Sequence, residues 1–396
     1  MSRPEAEPAL PLAGITVVEF STSVAGPYAG MVLADLGAEV FKIEKPQGGD
    51  SARLWGPPFV DGVAPVFLAL NRNKRSVAVD LKDPAQRDRL RAFIEARADV
   101  VIQNLQPGLM ARLGLDAATL RARRPDLIYC DMLAFGAAGP KAAQPGYDPL
   151  MQACTGIMSV TGHPGDDAAP VRVGPSLVDQ GSGMWAALSV LAALLTRARG
   201  GHAPEVSLSL YETALAWLPV QFANYLVTGN VPGKLGSENA GMAPYKAFEA
   251  ADGWLVIAAG NDGQFRRLAE VLGAPELPAD PRFATNPARV EHRGLVNETV
   301  QRLVAVRPRQ HWLEALTAVG VPCAPVLSLD EVMADPQFAA LDMLQDDPDR
   351  EMRLMGLPVS FDGRRPPLRR GPPALGEATE AVVGQAGAEA PEEETR

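Results

Sequence analysis

Residues 15–44 set the architecture before anything else in the chain. Ile15-Thr-Val-Val-Glu-Phe20 is a short β-branched run that reads as a strand. Tyr28 to Leu36 reads as a helix that Gly37 stops, and Ala38-Glu-Val-Phe-Lys-Ile-Glu44 reads as a second strand. A strand, helix and strand within about 30 residues match the size of a βαβ crossover. Strands joined that way lie parallel, and a parallel sheet needs helices over its faces. The alternation continues with strand Ser76–Leu81, helix Pro84–Arg97, strand Val100–Ile102, a short helix and strand Leu127–Cys130. An α/β fold with a mainly parallel sheet is therefore expected.

The chain has 396 residues, 47% of them hydrophobic, which is too long for one core and argues for two domains. Residues 140–180 are rich in Gly, Pro, Ala and Asp and read as loop-heavy. A long helix is expected from about Ser182 to Arg199, then strand Glu205–Leu210 and a helix through Asn224. Residues 229–244 read as a linker. A second α+β unit follows, with strand Trp254–Ala258, helix Asp262–Leu272 and helices near 293–305 and 309–319. The expected division is a large domain over 1–225, a linker and small domain over 226–330, and a C-terminal segment over 331–396. That segment returns to the large domain, and its last dozen residues read as disordered.

A net charge of −10 argues against nucleic acid as a partner. The three cysteines, Cys130, Cys154 and Cys323, are odd in number and far apart, which fits a reducing compartment. The first residues carry two glutamates and no apolar core, unlike a secretory signal. The apolar run Met184–Leu195 is too short to span a bilayer and reads as a buried helix. A cytoplasmic protein without membrane attachment is expected. No GxxxxGK(S/T) loop, HExxH, CxxC or GxSxG motif occurs, and the four histidines are isolated in sequence, so no metal is expected.

Gly181-Ser-Gly183-Met-Trp-Ala186 matches GxGxxA at a helix start, the outline of a dinucleotide fingerprint. Pro175 suits a preceding central strand poorly, and Glu205 comes before its strand rather than after it. The preferred reading is that both glycines give close backbone approach and a flexible start to the helix. Asp179, just before them, would lie near unpaired helix amides and the positive end of the helix dipole, which keeps a carboxylate ionised. As a plain capping aspartate it would need no chemistry at all. Lys42, Lys45, Arg53, Arg72, Lys74, Arg75, Lys82 and Arg112 give the first 125 residues a basic bias that would suit a ligand with several phosphates. Solvated surface charge is the bland alternative.

Taken in order, these pieces resemble the class III CoA-transferases, the family of formyl-CoA transferase and carnitine CoA-transferase. The resemblance covers about residues 11–365 and is carried by Pro11-Leu-Ala-Gly14, Ala25-Gly-Pro27, Leu33-Ala-Asp-Leu-Gly-Ala38, Lys42-Ile-Glu44-Lys-Pro46, Asn71-Arg-Asn-Lys-Arg-Ser76 and Asp80-Leu-Lys82. It continues through Asp99-Val-Val-Ile-Gln-Asn104, Pro107-Gly108, Gly146-Tyr-Asp148, the stretch from Val173 to Asp179, Ala243-Pro-Tyr245 and Gly320-Val-Pro322.

The resemblance implies a ring-shaped subunit, a Rossmann-like large domain plus a smaller α+β domain, with two rings interlocked as a homodimer. It implies transfer of CoA from an acyl-CoA donor to a carboxylic acid through an aspartyl anhydride and an aspartyl-CoA thioester on Asp179. Coenzyme A would meet Val24, Ala25, Lys45, Val79, Lys82, Asn104, Leu105 and Arg112, with the cations on phosphates and Asn104 and Leu105 framing the adenine. Tyr147, Asp148, Gly241 and Met242 would line the acid pocket. The chain departs from the family where Gln103-Asn104-Leu105 replaces a frequent Glu-Asn-Phe, which removes a stacking ring. It departs again where Gly236-Ser-Glu-Asn-Ala-Gly-Met242 replaces the run of glycines of the formyl-transferring members, which counts against formate or oxalate and leaves open a larger acid such as a dicarboxylate.

An α-methylacyl-CoA racemase is the first alternative. Racemisation needs a second acid/base near neutrality, and Tyr147 stands where the racemases carry histidine. A non-catalytic CoA-binding protein is the second, and it would have no use for the charge of Asp179.

Overall fold

The computed structural model describes residues 10–165 and 167–384. The expected disordered tail falls on residues 385–396, outside the described residues. Two units divide the chain. The first holds residues up to 155, 173–220 and from 342 onward, and the second holds 156–172 and 221–341. The boundaries expected at 225 and 330 thus move to 220 and 341, and part of the loop-heavy stretch joins the second unit.

The first unit is built on six parallel strands: β1 (Thr16–Phe20), β2 (Glu39–Glu44), β3 (Lys74–Ala78), β4 (Val100–Gln103), β5 (Ile128–Leu133) and β6 (Glu205–Ser209). Their order is β3-β2-β1-β4-β5-β6, the doubly wound arrangement. All five residues of β1 are buried, which is why its sequence is a nearly unbroken apolar run.

Helices cover both faces. They include α1 (Ala25–Asp35), α2 (Pro84–Arg97), α3 (Leu109–Leu113), α4 (Asp148–Cys154), α5 (Leu177–Ala198) and α6 (Leu210–Ala216). α2 starts where Asp83 accepts from the Ala85 N–H at 2.9 Å and Pro84 fixes the first turn. It buries Leu90 and Ile94 against Val18, Val77, Val101 and Tyr129. Burying a side chain of this size contributes about 1.5–3 kcal/mol.

α5 begins five residues before the expected Ser182, with Ser176 at its N-cap position. Gly181 and Gly183 therefore lie inside the helix. A Cβ on Gly183 would come within 2.6 Å of the Ala25 carbonyl oxygen and 2.9 Å of Tyr28 Cβ, so this glycine lets α5 pack closely on α1. The reading of close backbone approach is correct here, and that of a flexible helix start is not. At 22 residues α5 is also longer than expected, and by length and composition alone it could cross a membrane. Half of that apolar window is packed inside the first unit.

The C-terminal segment joins β3. The Asn73 N–H donates to the Arg370 carbonyl at 2.9 Å, the Ala78 N–H to Thr379 Oγ1 at 2.9 Å, and the Ala378 N–H to the Ser76 carbonyl at 2.9 Å.

The second unit has an antiparallel sheet, β7 (Tyr245–Ala250), β8 (Gly253–Ala258) and β9 (Cys323–Pro325), in that order. Helices α7 (Asp262–Val271), α8 (Arg293–Val304) and α9 (Arg309–Ala318) close its core around Phe248, Leu255, Phe265, Val300 and Trp312.

Candidate active site

The loops that leave the C-terminal ends of β1, β4 and β5 surround a cavity of about 640 Å³. The strand order reverses between β1 and β4, the place where open α/β sheets bind ligands. Asp179, in the first turn of α5, is the sole acid among the described residues lining this cavity. Ala25, Asn104, Leu105, Arg112 and Tyr147 share the wall with it.

The helix amides do not serve Asp179 in the way the sequence suggests. The Asp148 carboxylate, 2% exposed, accepts from the Val178 N–H at 2.7 Å and from the Asp179 N–H at 3.3 Å. It also accepts from Gln152 Nε2 at 2.6 Å, and Gln152 Oε1 in turn accepts from the Val173 N–H. Among the described residues the Asp179 carboxylate has no hydrogen-bond donor of its own. Burial, together with the negative charge of Asp148, pushes Asp179 up to about 7. Two expectations are corrected by this geometry. Asp179 is not held firmly ionised by the helix terminus, and Asp148 is buried and does not line this cavity.

The expected CoA contacts separate into groups. Lys45, Val79, Lys82 and Leu105 line a neighbouring cavity of about 360 Å³ at the ends of β1, β2 and β3. Lys45 and Lys82 are exposed there, and so is Arg112 in the first cavity. Thr22, Leu105 and Leu109 line both cavities. Val24 lines neither; it is buried against Met31 and Leu70. Asn104 lines the first cavity, but its amide is committed to the protein. Its Oδ1 accepts from the Thr22 N–H at 3.0 Å and its Nδ2 donates to the Thr22 carbonyl at 2.9 Å. It clamps the loop between β1 and α1. Tyr147 is 58% exposed at the cavity wall. Gly241 and Met242 belong to the second unit.

Half of the eight cations behind the basic bias of the first 125 residues turn out to be internal. Lys42 is fully buried between Glu19 at 3.1 Å and Asp50 at 3.0 Å. Lys74 pairs with Glu19 at 2.8 Å, Arg53 with Glu44 at 2.7 Å and Arg72 with Asp35 at 2.6 Å. These cations are therefore not phosphate ligands. Burial works against the charge of Lys42, yet Glu19 and Asp50 hold its pKa above the usual lysine value. Burial, opposed by Glu19 and reinforced by Lys42, pulls Lys74 down to about 8. The network has a use at the site. Asp50 Oδ1 accepts from the N–H of Ser23 at 3.1 Å, a cavity-lining residue held in the left-handed region at φ +70°. Lys42 Nζ donates to the Ser21 carbonyl at 2.7 Å. A buried ionic cluster thus sets the loop that floors the cavity. Sequence reasoning missed this role for Glu19 and Asp50, although a glutamate inside a β-branched strand was a visible signal.

A parallel doubly wound sheet with a half-buried carboxylate in a cavity at its switch point defines an α/β fold with a candidate active site. The chain belongs to CoA-transferase family III, whose profile matches residues 12–379, and it is a CoA-transferase. It is similar to the succinate–glutarate CoA-transferase of Agrobacterium fabrum, 38% identical over 95% of both chains. The acetyl-CoA:oxalate CoA-transferase of Acetobacter aceti is 36% identical over 95% of this chain and 96% of its own. A crystal structure of a CAIB/BAIF family protein from Brucella suis superposes with a TM-score of 0.84 at 38% identity, covering 94% of this chain and 98% of that one.

Proposed function

We propose that the enzyme moves CoA from an acyl-CoA to a small dicarboxylic acid through covalent intermediates on Asp179, acting as a cytoplasmic homodimer. The observation that carries the reading is the Asp179 carboxylate in the cavity wall, without a hydrogen-bond donor among the described residues and raised to about 7. A carboxylate that is poorly solvated and unusually basic is a stronger nucleophile than one in water.

An Asp179 oxygen attacks the thioester carbonyl, the C–S bond breaks, and CoA leaves as thiolate while the acyl group stays on Asp179 as a mixed anhydride. The thiolate attacks the aspartyl carbonyl of that anhydride and releases the donor acid, leaving an aspartyl-CoA thioester. The acceptor carboxylate attacks this thioester and frees the thiolate again. The thiolate then takes the acceptor acyl group and restores Asp179. Each step exchanges one bond at one carbonyl, and CoA held in place supplies the effective concentration for its return. Lys45, Lys82 and Arg112, exposed at the two cavities, would hold the phosphates, and Val79 and Leu105 the apolar parts. Tyr147, at the wall of the first cavity, would shape the acid site.

A dicarboxylic acceptor larger than oxalate is supported by relatives named for succinate and glutarate. The homodimer is supported by a stripe on α5, Met184, Trp185, Leu188 and Leu195, each about half exposed. The free thiols of Cys130, Cys154 and Cys323 suit a reducing compartment. The experiment is a panel of acyl-CoA donors against carboxylic acids, read by chromatography of the CoA esters, with Asp179→Ala beside the wild type. Exchange with a dicarboxylate by the wild type and its loss in Asp179→Ala is the expected result. Equal turnover in the variant would sink the assignment.

A further inference from the structure

Leu105 lines both cavities, and its backbone is held by a residue that touches neither. Gln103, 6% exposed at the end of β4, accepts from the Leu105 N–H through Oε1 at 2.8 Å. Its Nε2 donates to Oδ1 of Asp131, the cross-strand partner of Gln103 on β5. The amide therefore faces two different demands. It must accept from an N–H on one side and donate to a carboxylate on the other, and among neutral side chains of this length glutamine alone does both.

We infer that Gln103 and Asp131 form a matched pair that fixes Leu105 and, through Asn104, the Thr22 loop, and so sets CoA affinity. They are positioning residues, and the assignment rests on the reading that the Leu105 wall binds CoA. The substitution Q103E would still accept from the Leu105 N–H but would set two carboxylates against each other across adjacent strands. Such a pair keeps a shared proton at lower pH and repels at higher pH. The acidic groups whose fields reach Asp131 are Asp116 and Glu205, which add to that repulsion. Glu205 is itself offset by Arg121 at 3.9 Å. The neighbouring Tyr129 and Cys130 stay neutral, since burial raises both of their pKa values. Adding D131N supplies an amide that donates to the introduced carboxylate and restores the pattern with its direction reversed.

The test measures CoA dissociation constants by calorimetry and acyl-CoA steady-state kinetics at pH 6 and pH 8. Q103E should weaken CoA binding about tenfold at pH 8 and less at pH 6, raising KM more than it lowers kcat. Adding D131N should restore the constant to within about twofold, as expected for a coupled pair. A Q103E protein that binds CoA like the wild type at both pH values, or a double variant no better than Q103E, overturns the inference. Should Q103E fail to fold, the double variant decides alone: folding with near wild-type CoA affinity supports the pairing, and anything less overturns it. Leu105→Asp is the separate control. If it leaves CoA affinity unchanged, the reading of the cavity wall fails, whatever the pair does.

Discussion

The carboxylate of Asp148 takes the backbone N–H groups of Val178 and Asp179, at 2.7 and 3.3 Å, from the side chain of Asp179 itself. One acid is satisfied at the N-terminus of α5 and its neighbour is left without donors. The charge of the first then works on the second. That division of labour turns an ordinary aspartate into a group poised near neutral pH.

The pH profile follows from this. Asp179 must be ionised to attack, and its folded value is about 7. Between pH 5 and 7, kcat/KM for acyl-CoA should rise about tenfold per pH unit and then level off. A flat profile over that range would contradict the raised value.

Stability runs the other way. A carboxyl whose folded value of about 7 lies above its unfolded one favours the folded state at low pH. That contribution is lost as pH rises from about 4 through 7. Asp179→Asn should therefore be inactive yet more stable than the wild type at pH 8, on the order of 1–4 kcal/mol. Its advantage should shrink toward pH 4, as read by denaturant titration.

Asp148→Asn keeps the one oxygen that serves both amides, loses the oxygen that accepts from Gln152, and removes the charge. The apparent pKa of activity should fall by about one unit, with a loss in kcat of about ten- to a hundredfold from the disturbed helix start. Asp148→Ala leaves buried amides unpaired and should cost about 1–3 kcal/mol of stability. A pH profile that does not move in Asp148→Asn would show that the two acids are uncoupled.

Lys82 and Arg112 are exposed at the cavities, whereas Lys42 and Arg53 are paired inside the fold. Lys82→Ala should weaken CoA binding about five- to thirtyfold, with a smaller effect at high salt, and leave thermal stability nearly unchanged. Lys42→Met should do the reverse. It strands the buried Asp50 carboxylate, leaves Glu19 with Lys74 as its one cation, and should cost about 3–5 kcal/mol of stability.

The parallel sheet was legible because buried strands write themselves as β-branched runs, and β1 to β6 lie within a few residues of where those runs fall. The start of α5 was not. Gly181-Ser-Gly183 looks like a break in any sequence, and only the approach of Ala25 and Tyr28 to Gly183 and of Trp217 to Gly181 explains glycine within a helix. The basic residues misled for a similar reason. Lys42, Lys74 and Arg72 find their partners Glu19 and Asp35 more than twenty residues away, and no local pattern reveals such pairing. Asp179 was visible as a candidate from its neighbours. The donors it lacks became visible only once Asp148 was placed.

Hydroxylamine trapping tests the central claim most directly. The enzyme is mixed with acyl-CoA and hydroxylamine, digested, and the peptide containing Asp179 is weighed by mass spectrometry. An activated aspartyl carbonyl gives a hydroxamate at Asp179, in step with loss of activity and only when acyl-CoA is present. An unmodified Asp179 in a protein that is still exchanging CoA would contradict the account.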